Sequence, residues 1–421
     1  MKTQVAMHRF LCFLLPIILI HCSENPIQED LDHSLLEIKT LSLNNITINN
    51  YWVSPNLGTN ERLYLGTKNN INVPYSFIQI EDSVYLDYYN DSTINVDSLR
   101  FIMYSTDTLI ETSMLNLYFS PDSKFNENTS IYSDFMSLSN DEFLELGYPE
   151  IQNQYDFSDN GDTINTYTEF TWNIDTLIDI FADTLDNDPF NSFMLIPPDN
   201  AMLMEFYSEE ATSGTLNNKD PKVIVYFRRT YLQNDSTIVE PGQRKIYSVG
   251  DLSVFDPTEF IYNSDQVGLC NGTGMRSIIN IPIFGDSIPQ GSLIRTANLF
   301  LPYDTNRTAI HVAQNQRIVI DPLDSDTINI DSTLFNNSQF DTDPFSGVGY
   351  PYRAEDNDIT SINNGIYRID IKEFIQGKVL GNTINSSWKL VSIENNNPFE
   401  HIWLSNSQND TIKIEIIYVK N

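Results

Sequence analysis

Residues 205–227 read "EFYSEEATSGTLNNKDPKVIVYF", which is a short apolar run, a polar loop and a final stretch rich in Val, Ile, Tyr and Phe. β-Branched and aromatic residues in such a run favour a strand. The stretch has the character of a domain ending, yet it lies near the middle of a 421-residue chain. A similar ending, "WLSNSQNDTIKIEIIYV", occupies residues 403–419. The two endings predict two domains of the same construction.

Further matches between the two halves follow in the same order, each separated by about 200 residues, and together they indicate an internal repeat. The matched pairs are "ELGYPE" at 145–150 with "GVGYPY" at 347–352, "WNIDTLIDIF" at 172–181 with "IDIKEFIQGK" at 369–378, and "SFMLI" at 192–196 with "SWKLV" at 387–391. Apolar residues at positions i, i+3 and i+4 in the second pair predict one short helix in each copy.

The rest of each copy consists of short runs rich in β-branched and aromatic residues, separated by clusters of Asn, Asp, Ser and Gly. Such runs are typical of antiparallel sheets, and helical patterns do not alternate with them as a parallel sheet would require. We therefore predict an all-β fold of two tandem antiparallel β-sandwich domains, jelly-roll-like, each with one short helix.

The repeat and the composition also set the predicted boundaries. We expect a signal peptide at 1–21, an acidic tether at 22–39, a first domain at 40–232, a linker at 233–242 and a second domain at 243–421. Pro241 and Gly242 suggest the boundary between the domains, because these residues favour turns.

The chain is strongly acidic, with a formal net charge of −33. Such a surface repels nucleic acid, which we exclude as a partner, and it attracts divalent cations. After removal of a leader, Cys22 and Cys270 remain, which provide neither a disulfide framework nor a metal-binding cluster.

The N-terminus carries Lys2 and Arg9 before an apolar run at 10–20, the pattern of a secretory signal peptide. The stretch "LIHC" at 19–22 resembles the lipobox of bacterial lipoproteins, although His21 stands where a small residue is usual. The resemblance implies that Cys22 is acylated and that the protein is anchored to a membrane of the cell envelope. Ser23 follows the cysteine, which favours the outer membrane over the inner membrane; ordinary signal cleavage nearby is the alternative.

The order of elements resembles that of the DNRLRE-type secreted β-sandwich domains, which are similar to carbohydrate-binding modules. "FYSEEA" at 206–211 and "PKVIVYF" at 221–227 carry this resemblance most closely, and "SLRF" at 98–101 supports it. The second copy departs from the pattern, since "WLSNSQ" replaces "FYSEEA". The resemblance implies a secreted or surface-located sandwich with glycan binding, and it transfers no catalytic residue.

The sequence contains no motif of a nucleophile elbow, zinc protease, phosphate-binding loop or dinucleotide-binding loop. Acidic pairs of the glycosidase kind are uninformative in a chain with 57 acidic residues. We therefore predict that the protein is not an enzyme. Trp388, Trp403, Phe206 and Tyr226 are expected in the core, since an aromatic residue stands at the matched position of the other copy. Trp172, just before the first helix, is expected there as well.

Trp52 is the candidate for an exposed saccharide platform, and Tyr85, Tyr88 and Tyr89 either line a loop or cap a hairpin. Acidic loops offer oxygen ligands for Ca²⁺, the one cofactor that the sequence suggests, although turn formation explains the same composition. The candidate ligands are Asp159, Asp162, Asp186, Asp188, Asp341, Asp343, Asp356 and Asp358.

The working hypothesis is a lipid-anchored envelope protein that acts as a non-catalytic binding module for extracellular polysaccharide. The alternative is a structural or protein-interaction component of the cell surface, with other surface proteins as its partners. A glycan-processing enzyme is the third possibility.

Overall fold

The structure is a computed structural model, and it describes most of the chain from Glu37 to Lys420. The described residues are 37–44, 46–53, 57–58, 62–81, 91–105, 114–157, 163–181, 190–210, 219–256, 267–281, 287–322, 354–355, 362, 364–381, 387–392, 397–405 and 412–420. Within these ranges no helix has the length and apolar character needed to cross a membrane.

The chain folds mainly as β-strands, which pair antiparallel throughout the described sheets. In chain order the strands are β1 (Glu37–Leu43), β2 (Thr47–Trp52), β3 (Arg62–Lys68), β4 (Ile71–Glu81), β5 (Ile94–Ser105), β6 (Asn116–Ser120), β7 (Leu144–Gly147), β8 (Glu150–Phe157), β9 (Thr163–Asn173), β10 (Phe190–Ile196), β11 (Met204–Tyr207), β12 (Lys222–Gln233), β13 (Ser236–Asp256), β14 (Val267–Leu269), β15 (Met275–Asn280), β16 (Leu293–Pro302), β17 (Ile318–Pro322), β18 (Ala354–Glu355), β19 (Ile366–Asp370), β20 (Ser387–Ser392), β21 (Ile402–Leu404) and β22 (Lys413–Lys420).

The helices are short and lie between strands. They are α1 (Tyr132–Phe135), α2 (Ile178–Phe181), α3 (Ile310–Asn315) and α4 (Lys372–Val379), with 3₁₀ turns at Asn140–Glu142 and Asp175–Leu177. The all-β fold is confirmed. The helices predicted by the repeat correspond to the 3₁₀ turn with α2 and to α4, whereas α1 and α3 are additional.

The first sandwich has two sheets that share strand β13. One sheet runs β8–β9–β5–β12–β13, and the other runs β13–β4–β10–β6–β7. β13 takes part in both because its first half pairs with β12 and its second half pairs with β4, with an irregularity in register between Ser248 and Gly250. Strands β3 and β11 pair with each other, and they link the two sheets at one side.

The second sandwich repeats this arrangement, except that the described residues contain no counterpart of β8. One sheet runs β19–β16–β22–β1 and the other runs β2–β15–β20–β17–β18, while β14 pairs with β21 as β3 pairs with β11. Here two separate strands, β1 and β2, occupy the places of the two halves of β13. The matching strand orders confirm two sandwiches of one construction.

The two repeats exchange their first strands, so the sheets do not follow the predicted domain boundaries. β1 and β2 begin the first copy, yet they pair with β22 and β15 of the second sandwich. β13 begins the second copy, yet it completes the first sandwich through β12 and β4. The assignment of residues 40–52 to the first domain and of residues 243–256 to the second was therefore wrong, and residues 37–39 of the predicted tether lie in β1.

The predicted linker at 233–242 is also wrong, because it lies in a β-hairpin formed by β12 and β13. Asn234 and Asp235 occupy the two turn positions with φ values of 50° and 61°, a conformation that these two residue types tolerate better than most. Pro241, which suggested a boundary, lies inside β13 opposite Arg228. A proline lacks an N–H donor and is accommodated there because this part of β13 is an edge.

Three apolar clusters hold the fold together. The first fills the first sandwich and includes Phe101, Trp172 and Phe193. The second fills the second sandwich and includes Trp388, and Leu41 of β1 packs against it. The third joins residues of both sandwiches, among them Phe255, Met275 and Phe399. Burying these side chains removes apolar surface from water, which is the main favourable term in folding.

The third cluster packs the two sandwiches against each other. The Phe399 ring lies 5.1 Å from the Tyr64 ring and 5.6 Å from the Phe255 ring, measured between centroids. The Asn69 side-chain amide of the first sandwich donates to the Phe399 carbonyl of the second at 2.9 Å. Aromatic contacts and this hydrogen bond therefore fasten one sandwich to the other.

Candidate functional site

Trp52, the predicted saccharide platform, lies at the end of strand β2 and not in a loop. Its side chain is half-buried and packs against the third cluster, and its backbone lies opposite Met275. The indole therefore packs in part against protein instead of standing free as a platform. The other predicted platform residues, Tyr85, Tyr88 and Tyr89, lie outside the described residues.

Cys22 also lies outside the described residues, as does every aspartate suggested as a calcium ligand. These are Asp159, Asp162, Asp186, Asp188, Asp341, Asp343, Asp356 and Asp358. Lipid attachment at Cys22 and metal binding in those loops stay predictions.

The prediction that these aromatics are core residues holds for Trp172, Phe206 and Trp388, which are buried. It is wrong for Tyr226, which is 37% exposed although its sequence match Tyr418 is buried. Val223 and Val225 face the core, so the alternation of side chains along β12 turns Tyr226 to the opposite face. Trp403 is half-buried and packs against the third cluster.

A cluster of tyrosines and lysines lies on that opposite face, the outer face of the first sandwich. We call Tyr104, Tyr167, Lys219, Lys222 and Tyr247 the tyrosine–lysine cluster. They come from β5, β9, the segment before β12, β12 itself and β13. The strand register places Lys222 opposite Tyr247, and β5 lies between β9 and β12, so residues far apart in sequence converge.

The lysine ammonium groups of this cluster lie over the tyrosine rings. The Lys219 Nζ atom is 3.0 Å from the Tyr167 ring centroid and 5.2 Å from that of Tyr104. The Lys222 Nζ atom is 4.5 Å from the Tyr104 centroid and 5.5 Å from that of Tyr247. The Tyr104 and Tyr167 rings meet edge to face at 5.5 Å. Cation–π attraction therefore positions both ammonium groups among the rings.

Burial dominates the electrostatics of this cluster. Burial, followed by the neighbouring positive charge of Lys245, lowers the pKa of Lys222 to about 8. Burial also raises the pKa of Tyr104, and the negative charge of Glu169 adds to that rise. The site therefore combines neutral hydroxyl groups with partly dehydrated ammonium groups in a chain that is otherwise strongly acidic.

The second sandwich differs at the equivalent place. Lys413 occupies the position in β22 that Lys222 occupies in β12, because β22 pairs with β16 in the same register in which β12 pairs with β5. Lys413 lies over Phe300 with its Nζ atom 4.8 Å from the ring centroid, and it forms a 2.8 Å ion pair with Glu415. Within the described residues, the combination of two lysines with three tyrosines is thus a property of the first sandwich.

Three carboxylates form a second cluster, near the edge where β13 closes the first sandwich. We call Glu127, Glu210 and Asp251 the carboxylate cluster; each offers an oxygen atom, and these atoms lie within 4.8 Å of one another. Glu127 follows β6, Glu210 follows β11 and Asp251 lies in β13. The Asp251 N–H donates to Glu127 Oε1 at 3.1 Å, and the Glu209 N–H donates to Asp251 Oδ2 at 2.7 Å.

The three carboxylates disfavour one another's charges. Burial raises the pKa of Glu210 to about 7, and the charge of Glu127 adds to this rise. Burial and then the charge of Glu210 raise the pKa of Asp251 well above its usual range. Like charges that converge in a poorly solvated place must take up protons or be neutralised by a cation. Sequence patterns could not reveal this cluster, because its members come from three distant segments.

Burial favours the neutral form of two other titratable groups, Cys270 and His401. Burial raises the pKa of the Cys270 thiol to about 11, so the thiolate needed for nucleophilic attack is scarce. Burial lowers the pKa of His401 to about 4, and Arg307 adds to the effect. The His401 ring stacks on Trp403 with centroids 5.1 Å apart, while the Arg307 guanidinium lies 3.8 Å from a Trp403 ring centroid.

Comparisons with protein-family models, with curated proteins and with solved structures found no match to this chain. The protein is therefore classified by its fold, as an all-β chain of two antiparallel sandwiches. The resemblance to DNRLRE-type domains stays a prediction from sequence.

Proposed function

We propose that this protein is a non-catalytic binding module of the bacterial cell envelope that captures extracellular polysaccharide. It is held at the membrane by a lipid on Cys22, in the outer membrane. The leader with its Lys2, its apolar run and the "LIHC" stretch supports the anchoring. The sandwich architecture supports the binding role, since such folds present broad sheet faces and carry functional groups on their surfaces.

The tyrosine–lysine cluster is the observation that carries the proposal. Sugar rings bind to aromatic faces, and half-buried tyrosines supply such faces together with hydroxyl groups for hydrogen bonds. The two ammonium groups add positive charge at one place of a chain whose net charge is −33. We therefore propose a polysaccharide that carries carboxylate or other anionic groups. Lys219 and Lys222 are themselves buried, so they would attract these groups through their charge, while the half-buried tyrosines make the contacts.

A polysaccharide array tests this function with the chain from Ser23 onward, which keeps strand β1 intact. We expect retention on acidic polysaccharides and weaker retention on neutral ones. Retention should fall as salt is raised, because salt screens charge pairs at a surface. Absence of binding to every acidic and neutral polysaccharide would contradict the proposal.

Single substitutions then locate the site. Tyr167→Ala and Lys219→Ala should each weaken binding to the retained polysaccharide, as measured by calorimetry. Tyr231→Ala is the matched control, because Tyr231 is an exposed tyrosine of β12 outside the cluster. Equal loss in all three variants, or no loss in the first two, would place the site elsewhere.

The anchoring is tested separately in cells with a fatty-acid probe. The wild-type protein should be labelled and found with outer membranes, whereas Cys22→Ala should lose the label. Persistent labelling of Cys22→Ala would contradict lipid attachment at this residue. Cys270→Ala serves as the control, since Cys270 is buried and should be irrelevant to labelling.

The rival function is a structural or protein-interaction component of the cell surface. The third cluster favours it, because a core shared by two sandwiches makes a stiff unit suited to spacing other components. The array distinguishes the two functions: a chain that ignores every polysaccharide yet co-purifies with envelope proteins after cross-linking is the structural component. A glycan-processing enzyme would instead release shortened products from the retained polysaccharide.

A further inference from the structure

We infer that Glu127, Glu210 and Asp251 bind one divalent cation of the calcium type, and that the ion fastens the exchanged strand β13 into the first sandwich. This site is distinct from the acidic loops suggested by the sequence, and it is independent of the proposed saccharide site.

The geometry of the carboxylate cluster fits a single ion. Two ligands on opposite sides of Ca²⁺ are separated by about 4.6–5.2 Å, twice the usual Ca–O distance. The three oxygen atoms of the cluster lie within 4.8 Å of one another, so one ion can contact all of them. Ca²⁺ is the better candidate because it accepts carboxylate ligands in flexible geometries, whereas Mg²⁺ demands near-ideal octahedral geometry and usually keeps several waters.

No positive side chain neutralises these carboxylates within the described part of the chain. Asp251 is buried, and Glu127 and Glu210 are half-buried. Two backbone N–H groups reach the cluster, one to Asp251 and one to Glu127, and they compensate a fraction of three negative charges. A divalent cation would supply the missing charge and the missing ligand contacts together.

Ser208 provides an independent indication that the cluster is incomplete. Its side chain is fully buried, and its hydroxyl has no hydrogen-bond partner in the described structure. The hydroxyl faces the carboxylate of Glu210, two residues further along the chain. Glu210 Oε2 is likewise buried and without a partner there. Orphaned buried oxygen atoms are uncommon in proteins, and these two lie where a cation would give both of them a partner.

The second sandwich has an apolar residue at the position that corresponds to Asp251. Asp251 lies opposite Ile78 of β4, and the matched pair in the second sandwich is Ile48 opposite Ile279. Ile48 belongs to the apolar core of its sandwich. The exchanged strand β13 therefore carries Asp251 where the matched strand β2 carries a core isoleucine. Burial of a charge at such a place is costly unless a partner compensates it.

The expected role of the ion follows from the three segments that it joins. Asp251 belongs to the exchanged strand, whereas Glu127 and Glu210 belong to connections at the end of the sandwich that receives it. A ligand that binds the folded arrangement alone stabilises that arrangement by mass action. Calcium should therefore reduce the local opening of β13.

The experiment uses the full chain, stripped with a chelator and titrated with Ca²⁺ or Mg²⁺ alone. Calorimetry should show saturable Ca²⁺ binding, and Mg²⁺ should bind more weakly. Glu210→Gln and Asp251→Asn should each remove one Ca²⁺ equivalent. Hydrogen exchange should show that Ca²⁺ slows exchange of amides in residues 248–256 of the wild type and leaves those amides unchanged in both variants.

Asp122→Asn is the matched control, because Asp122 is an exposed acid of the same connection that follows β6. It should keep the full Ca²⁺ stoichiometry and the slower exchange. Absence of Ca²⁺ binding by the wild type would overturn the inference. An unchanged Ca²⁺ stoichiometry in Glu210→Gln and Asp251→Asn would overturn it as well, because the ion would then occupy another acidic loop. Asp251→Ile, which copies the second sandwich, should fold and bind no ion at this place.

Discussion

Glu37 and Lys420 lie opposite each other in one antiparallel strand pair, although they stand at the two ends of the described chain. This pairing places β1 of the first copy at the edge of the second sandwich. The equivalent edge of the first sandwich is filled by β13, in which Ile246 lies opposite Val223 of β12. The two sandwiches are therefore mutually dependent, and each contains a strand that the repeat assigns to the other.

Deletion of residues 37–43 should weaken the second sandwich and spare the first. The deletion uncovers β22 and removes Leu41 from the second core. We expect faster hydrogen exchange in β22 and β16, and unchanged exchange in β12 and β5. Deletion of residues 24–30, within the predicted tether, is the control and should change neither sandwich. Loss of protection in β12 instead would contradict the observed strand pairing.

Phe193→Ala should destabilise the first sandwich by about 3–5 kcal/mol, the usual cost of removing a buried phenylalanine ring. The Phe193 ring stacks on Phe101 with centroids 4.6 Å apart, and it lies 5.3 Å from the Phe119 ring. Urea unfolding followed by aromatic fluorescence measures the loss. Leu232→Ala, at a side chain that is 78% exposed, should stay within about 0.5 kcal/mol of the wild type.

The stability of the protein should rise between pH 8 and pH 10 because of Lys222. The folded protein holds the Lys222 pKa at about 8, against the ordinary 10.5 of the unfolded chain. The unfolded chain therefore binds more protons in this window, and the free energy of unfolding rises with pH by up to about 1.4 kcal/mol per unit. Urea unfolding at several pH values measures the slope.

Lys222→Met is the control for this slope, because methionine keeps an unbranched apolar side chain without the charge. The variant should lose the rise in the free energy of unfolding between pH 8 and pH 10 that comes from Lys222. Relative to the wild type, it should be most stabilised below pH 8. The measurement stops at pH 10, above which the raised pKa values of Tyr104 and Tyr247 begin to oppose the trend. Identical slopes for both proteins would show that Lys222 titrates normally.

Cys270 should resist a maleimide reagent in the native protein and react fully after unfolding in urea. The thiol is buried, its pKa is raised to about 11, and it donates to the Pro398 carbonyl. An introduced cysteine, Leu232→Cys, supplies an exposed thiol for comparison and should react at once. Rapid native labelling of Cys270 would indicate that the contact between the sandwiches opens readily.

Local patterns were sufficient to predict the repeat and the antiparallel sheets. Strand-forming runs and the short helices at Ile174 and Ile371 depend on neighbouring residues, so the sequence displays them directly. Gly381 follows α4 with φ of +93°, a conformation that glycine adopts without strain and that commonly ends a helix.

The strand exchange could not be predicted from the repeat, because β1 and β13 are equivalent and either could pair with β12 or β22. The hairpin turn at Asn234 and Asp235 decides between them, since it folds β13 directly back onto β12. β22 then keeps a free edge, which β1 fills. The turn residues were visible in the sequence, but the nearby Pro241 and Gly242 suggested a linker instead.

The two candidate sites were missed for a related reason: each gathers residues from strands that are distant in sequence. Lys219 and Lys222 gave the one visible signal, two lysines close together in a strongly acidic chain. Their tyrosine partners and the members of the carboxylate cluster become neighbours through the sheet register alone.

The pairing of β1 with β22 also sets an order of events during synthesis. The first sandwich has all its strands once residue 256 has been made, and a hairpin supplies its last one. The second sandwich must wait until residue 420, while β1 and β2 remain without their partners. Contacts between distant segments form slowly, since a long loop must close first. The half of the protein that contains the earliest strands is therefore the half that matures last.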